Sequence, residues 1–213
     1  MIAVLDYGIG NLRSAQKALQ RVAGDNVEVR LAATPEAAEG ATGVVLPGVG
    51  HFGRCMEALR AAGLDEVARA AVGDGTPFLG VCVGMQMLFE GSEESPETKG
   101  IGLLPGRIEL LPDGVKRPQM QWNQLHLHDP VNPIFGGVVE GDWVYFVHSY
   151  GASPAGADVI ATVDYGGPVV AAVGRGALWA TQFHPEKSGP VGLRLLANFV
   201  SVATAASVTP VGV

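Results

Sequence analysis

The first half of the chain alternates short apolar runs with stretches in which apolar residues recur every three or four positions. That alternation predicts a parallel sheet flanked by helices. Residues 2–5 form an uninterrupted apolar run and predict a first strand, while Asn11–Val22 predicts a helix with Leu12, Ala15 and Leu19 on one face. A second strand is expected over 27–31, a short helix near Glu36–Glu39 and a third strand over Gly43–Leu46. Helical patterning resumes after a glycine-rich loop and runs to about Val72. A fourth strand over Pro77–Val81 then leads directly into a short helix over Val83–Glu90.

The second half changes character. Apolar runs near 107–111, 122–127, 143–148, 158–164, 169–173 and 178–183 are separated by Gly, Pro and Asp turns, with little helical patterning until Pro190–Val202. No linker, repeat or low-complexity tract divides the chain. The expected fold is therefore α/β, a three-layer open and mostly parallel sheet flanked by helices, with an added antiparallel β portion in the second half. One domain is expected over 1–203, followed by a frayed tail over 204–213. No charged residue occurs between Leu195 and Val213, but Asn198, Ser201 and Thr204 interrupt the stretch. It reads as a helix turning Leu193, Leu196 and Val200 inward rather than as a membrane anchor.

Composition narrows the function classes. The length of 213 residues suits one domain, and 47% apolar residues suffice for a packed core. A formal charge of −7 and scattered basic residues exclude the clustered Lys and Arg that a nucleic-acid binder needs. Two cysteines, Cys55 and Cys82, cannot form a disulfide scaffold and point to a reducing cytoplasm. The opening Met1-Ile-Ala-Val-Leu-Asp6 has no basic region and reaches a charge after four apolar residues, so it does not read as a signal peptide.

Gly80-Val-Cys82-Val-Gly84 has the form of a nucleophile elbow with cysteine in the nucleophile position, set between an apolar strand and a helix start. The flanking glycines allow a sharp turn, and a helix N-terminus favours the reactive thiolate. Cys55 lies in a helical pattern and reads as a packing residue. A cysteine nucleophile needs a base, and the base needs an orienting acceptor. Gln182-Phe-His184-Pro-Glu186 offers both: in an extended chain, side chains at i and i+2 share a side, which would set Glu186 beside His184. Strand ends in a parallel sheet gather at one edge, so His184 and Cys82 can meet although they are far apart in sequence. Pro47-Gly-Val-Gly50 follows the third strand, where elbow hydrolases place part of the oxyanion hole; the donors would be the N–H groups of Val49 and Val83.

Other signals are weaker. Gly8-Ile-Gly10 fails as a dinucleotide fingerprint because Arg13 stands at the third glycine position. His126-Leu-His128-Asp129 reads as a polar turn rather than a metal site, and Glu90, Glu93, Glu94 and Glu97 read as a solvated acidic loop. Met120 and Trp122 fit either a core or an exposed interface. No metal or cofactor is expected.

Six motifs in combination resemble a known family. They are Asp6-Tyr-Gly-Ile-Gly-Asn11-Leu, Leu46-Pro-Gly-Val-Gly-His-Phe-Gly53, Gly80-Val-Cys-Val-Gly-Met-Gln86, Pro118-Gln-Met-Gln-Trp-Asn123, Val147-His-Ser-Tyr150 and Gln182-Phe-His-Pro-Glu-Lys-Ser188. Across nearly the whole chain this set resembles the triad-type (class I) glutamine amidotransferases, and more narrowly the glutaminase subunits of imidazole glycerol phosphate synthases. The resemblance implies that Cys82, His184 and Glu186 form the catalytic triad. It implies that Gly48, Gly50, Gln86, Ser149 and Tyr150 hold glutamine, and that Asn11, Met120, Trp122, Asn123 and Lys187 face a (β/α)₈ cyclase in a heterodimer. Gln121 stands where that family more often has Gly. Two other readings stay open: a sister amidotransferase or another α/β cysteine hydrolase, and a redox sensor built on Cys82 that would have no use for His184 or Glu186.

Overall fold

The computed structural model describes residues 1–153 and 158–205. Its strands are β1 (Ile2–Leu5), β2 (Val29–Ala32), β3 (Gly43–Gly48), β4 (Phe78–Cys82), β5 (Gly91–Ser92), β6 (Ser95–Lys99), β7 (Arg107–Leu110), β8 (Gln119–Gln124), β9 (His126–Leu127), β10 (Trp143–His148), β11 (Tyr150–Ala152), β12 (Val159–Asp164), β13 (Pro168–Arg175) and β14 (Leu178–Thr181). The helices are α1 (Leu12–Ala23), α2 (Pro35–Ala38), α3 (Phe52–Ala61), α4 (Leu64–Gly73), α5 (Val83–Gln86) and α6 (Gly189–Ala205).

The main sheet runs in the order β2-β1-β3-β4-β14-β13-β12-β9. Strands β2, β1, β3, β4 and β14 are parallel, and β13, β12 and β9 extend the sheet antiparallel. The reason is visible residue by residue: every position of β1, β3, β4 and β14 is buried, as a strand covered on both faces requires. Helix α1 packs on α6, α3 on α4, and α2 on α4, so helices cover the sheet on both sides. In α1 the buried residues are Leu12, Ala15 and Leu19, the stripe expected from their spacing. The inward face of α6 is carried by Leu195, Leu196, Phe199, Val200 and Ala203, with Leu193 only half-buried. Among the described residues no helix is long and apolar enough to cross a membrane.

Several boundaries differ from expectation. The strand expected over 122–127 is divided between β8 and β9, because Leu125 turns inward between them and is fully buried. The helix expected over Val83–Glu90 stops at Gln86. Its continuation is pre-empted by long-range bonds, as the carbonyls of Met87, Leu88 and Phe89 accept N–H groups from Ile101, Leu103 and Gly102. Strands β5, β6 and β11 had no sequence signal; they join β7 in a small sheet ordered β11-β7-β5-β6, and β8 pairs with β10 in a separate antiparallel ribbon. The tail expected over 204–213 begins inside α6, which includes Thr204 and Ala205; residues 206–213 lie outside the described residues.

Candidate active site

The elbow is built where β4 meets α5. Cys82 has φ 55°, the one positive φ among the described non-glycine residues. Such a conformation costs on the order of 1–3 kcal/mol and persists only where surrounding structure imposes it. Here the cysteine itself makes the sharp turn, and neither flanking glycine has a positive φ. The glycines serve close approach instead. A Cβ on Gly84 would lie 1.8 Å from the Leu46 carbonyl oxygen, and one on Gly80 would lie 3.0 Å from Leu88 and 3.1 Å from Ala180. Because α5 is a single turn, little helix dipole is available to the sulfur.

Strand β14 lies beside β4 in register, with Thr181 opposite Val81, so the residues that follow each strand emerge at the same sheet edge. That is why Cys82 and His184 face one cavity. His184 Nδ1 lies 2.8 Å from Glu186 Oε1, and both side chains are buried. The contact was expected but its geometry differs: Pro185–Lys187 is a 3₁₀ turn, which folds Glu186 back under the ring rather than aligning it along an extended chain. The turn is fixed by Ser188 Oγ, which donates to the His184 carbonyl and accepts from the Tyr145 N–H. His184 Nε2 is buried without a hydrogen-bond partner. Burial opposes charge on this ring, but the neighbouring Cys82 sulfur and the Glu186 carboxylate outweigh it and lift the pKa to about 9.

The cavity encloses about 430 Å³. Val49, Gly50, Val83, Gln86, Ser149 and Tyr150 line it together with Cys82 and His184, and Asn11 and Lys187, expected at the face toward a partner, also reach its walls. Gly48 is set back in a small adjoining recess with Val49, Asn11 and Glu186. Gln86 Nε2 donates to the Tyr150 carbonyl (2.8 Å) and to Gln182 Oε1 (3.1 Å), and Gln182 Nε2 lies 3.8 Å from Cys82 Sγ.

Two polar wall residues, His148 and Glu94, and one residue set behind the wall, Gln182, were not expected from the sequence. Gln182 Nε2 approaches the Cys82 sulfur, yet within its motif only the neighbouring His and Glu advertise chemistry. His148 lines the cavity with Nδ1 2.8 Å from the Tyr150 carbonyl and Nε2 2.9 Å from the Gln119 amide. Glu94 also lines it, and its Oε2 accepts the Phe52 N–H at 2.7 Å. The acidic loop is thus structural rather than merely solvated: Glu90 accepts the Gly106 N–H, Glu93 the Leu110 N–H, and Glu97 the Ser95 hydroxyl. Nothing local in sequence signals the distant backbone partners of Glu90, Glu93 and Glu94.

The residues expected to face a partner divide. Met120 and Trp122 are 62% and 46% exposed on the β8–β10 ribbon, opposite Val147 and Tyr145 respectively. Asn123 is half-buried and donates to the Asp164 carbonyl. Gln121 is exposed and keeps regular pairing with Phe146. Cys55 is fully buried in α3. His126 pairs with Glu140 and His128 with Thr162, and no metal-holding cluster occurs among the described residues.

Comparison with known proteins identifies the family and the fold. The family model described as glutamine amidotransferase class-I matches residues 3–203. A protein of Synechococcus sp. (strain JA-3-3Ab) named imidazole glycerol phosphate synthase subunit HisH is 50% identical, over 93% of this chain and 92% of its own length. One of the same name from Geobacillus kaustophilus (strain HTA426) is 48% identical, over 96% of this chain and 98% of its own length. Among solved structures, one titled a glutamine amidotransferase superposes with TM-score 0.74 at 22% identity, covering 95% of this chain and 98% of that one. PurLQS from Thermotoga maritima gives TM-score 0.74 at 20% identity, over 94% and 97% of the two chains.

Proposed function

Since the chain belongs to the class-I glutamine amidotransferase family, we propose that it is the glutaminase subunit of an imidazole glycerol phosphate synthase. It hydrolyses L-glutamine to glutamate and ammonia in histidine biosynthesis. Ammonia passes to a separate (β/α)₈ cyclase subunit, which makes imidazole glycerol phosphate and aminoimidazole carboxamide ribotide. The observation that carries this reading is a strained cysteine sharing one enclosure with a histidine that a carboxylate orients. A redox sensor would have no use for the buried His184–Glu186 pair.

The chemistry follows from the geometry. Cys82 attacks the side-chain amide carbon, and the N–H groups of Val49 and Val83 hold the resulting oxyanion, each such donor contributing about 2.7–4 kcal/mol in a comparable hydrolase. His184, kept charged by its neighbours, gives its proton to the departing ammonia and then takes one from the water that hydrolyses the thioester. Glu186 occupies Nδ1, so Nε2 is the atom that moves the proton. Gly48, Gly50, Gln86, Ser149 and Tyr150 shape the glutamine site. Glu94 adds a carboxylate suited to an α-ammonium group. Met120 and Trp122, with Asn11, Asn123 and Lys187, form the face toward the cyclase, and ammonia reaches it undiluted and unprotonated. Two unpaired cysteines suit a reducing cytoplasm.

The test is glutamine turnover by the chain alone and with its cognate cyclase carrying bound nucleotide substrate. The expected result is weak hydrolysis alone and strong acceleration in the complex. Full activity alone with no response to the cyclase would overturn the coupling.

A further inference from the structure

The mechanism leaves unused a buried phenol and thiol behind the loop that carries Val49. Tyr7 and Cys55 are 6% and 0% exposed. The Tyr7 hydroxyl donates to the Pro47 carbonyl at 2.8 Å, and Cys55 Sγ donates to the Val49 carbonyl at 3.4 Å. These carbonyls lie on either side of the Gly48–Val49 peptide, whose N–H is the proposed oxyanion donor. Gly48 is also closely packed where a side chain would stand: a Cβ there would lie 2.7 Å from the Gly84 amide nitrogen, 2.9 Å from the Tyr7 hydroxyl and 3.0 Å from Val83. The loop is therefore fixed by its close approach to the elbow at Gly48 and by the Tyr7 and Cys55 bonds to its carbonyls.

Both groups are kept in their donating forms. Burial pushes the Tyr7 phenol far above its ordinary range, with the Cys55 sulfur beside it adding to the effect. Burial likewise pushes the Cys55 thiol up to about 11. A neutral phenol or thiol can donate to a carbonyl, whereas its anion cannot.

We infer that Tyr7 and Cys55 are positioning residues for the oxyanion hole: by holding the carbonyls of Pro47 and Val49 they set the direction in which the Val49 N–H points. The inference rests on the glutaminase reading above and goes beyond it by assigning work to two residues outside the cavity. It also explains why a cysteine in mid-helix need not be reactive to matter.

The experiment compares two reactions of one sulfur in the complex with the cyclase. Glutamine hydrolysis passes through an oxyanion, whereas alkylation of Cys82 by iodoacetamide displaces iodide from carbon and forms none. Tyr7→Phe keeps the ring and removes the donor; Cys55→Ala removes the thiol, and Cys55→Ser restores a donor. We expect kcat for glutamine to fall about tenfold in Tyr7→Phe and severalfold in Cys55→Ala, fractions of the 10²–10³ that losing an oxyanion donor costs. KM and the Cys82 alkylation rate should stay within about twofold of wild type, and Cys55→Ser should recover most of the kcat lost in Cys55→Ala. Circular dichroism and thermal melting identify any variant that fails to fold, and Tyr7 and Cys55 provide independent tests. Equal loss of hydrolysis and alkylation, or no loss in folded variants, would overturn the inference. A wild-type complex that does not hydrolyse glutamine would instead overturn the underlying reading.

Discussion

Two buried histidines look into the same cavity from different sheets, and their surroundings push them in opposite directions. His148 ends β10 of the separate ribbon, while His184 follows β14 of the main sheet. Burial drives His148 down to about 4, against the bond from its Nδ1 to the Tyr150 carbonyl, and the nearby His184 adds to the depression. His184 is as thoroughly enclosed, yet it rises to about 9 because a carboxylate lies on one nitrogen and the cysteine sulfur lies near the other. Burial alone neutralises an imidazole; anionic neighbours decide whether it can carry a proton at neutral pH. One cavity thus contains one histidine held neutral and one that favours its charged form.

The largest expected contrast comes from removing each ring. His184→Asn should reduce glutamine turnover by roughly 10⁴-fold or more, as loss of a triad base does elsewhere. His148→Asn should cost no more than about tenfold, because no proton transfer passes through it. Steady-state kinetics of the complex with the cyclase reads both, and similar losses would erase the distinction. Next in size, Glu186→Gln should make His184 more like His148. It removes the charge of one of the two groups that raise the ring, and turnover at neutral pH should fall on the order of 10²-fold.

The same comparison predicts two opposite limbs of stability against pH. His184 is raised above its ordinary 6.5, so its contribution is fully present below pH 6.5 and lost as pH rises through about 9. His148 is depressed, so its contribution is present above pH 6.5 and lost as pH falls through about 4. In urea unfolding, the gap between wild type and His184→Asn should close from pH 6.5 to 9, and that for His148→Asn should close from pH 6.5 to 4. A gap that is constant with pH in either case would contradict the assignment. The smallest effect is expected at Gln119. A neutral His148 donates from Nδ1 to the Tyr150 carbonyl, so its Nε2 must accept; Gln119 Oε1 stands 2.9 Å from it while Gln119 Nε2 is buried without a partner, and a half-turn of the amide supplies the donor. Gln119→Leu should therefore cost about 1–2 kcal/mol of stability with little change in turnover.

The elbow was legible in sequence because its signal is local: five consecutive residues specify a strand end, a turn and a helix start. His184 and Glu186 were legible as a pair, but the reason was not. Proline suggested an extended chain, whereas a 3₁₀ turn held by Ser188 brings the carboxylate round. Glu94 escaped because its role depends on strands of two and five residues that fold it against the Phe52 amide. His148 carried no signal because its state is set by enclosure and by Gln119, 29 positions away in sequence. The parallel core was legible from continuous apolar runs. The small sheet was not, because β5 and β6 are short and rich in polar residues.

The central claim, that Cys82 is the nucleophile acting on glutamine, is tested most directly by mass analysis of the complex quenched during turnover. One γ-glutamyl group in thioester linkage is expected on the peptide containing Cys82, absent in Cys82→Ala and absent from the peptide containing Cys55. Ammonia release by Cys82→Ala at the wild-type rate, or the acyl group found on Cys55, would contradict it.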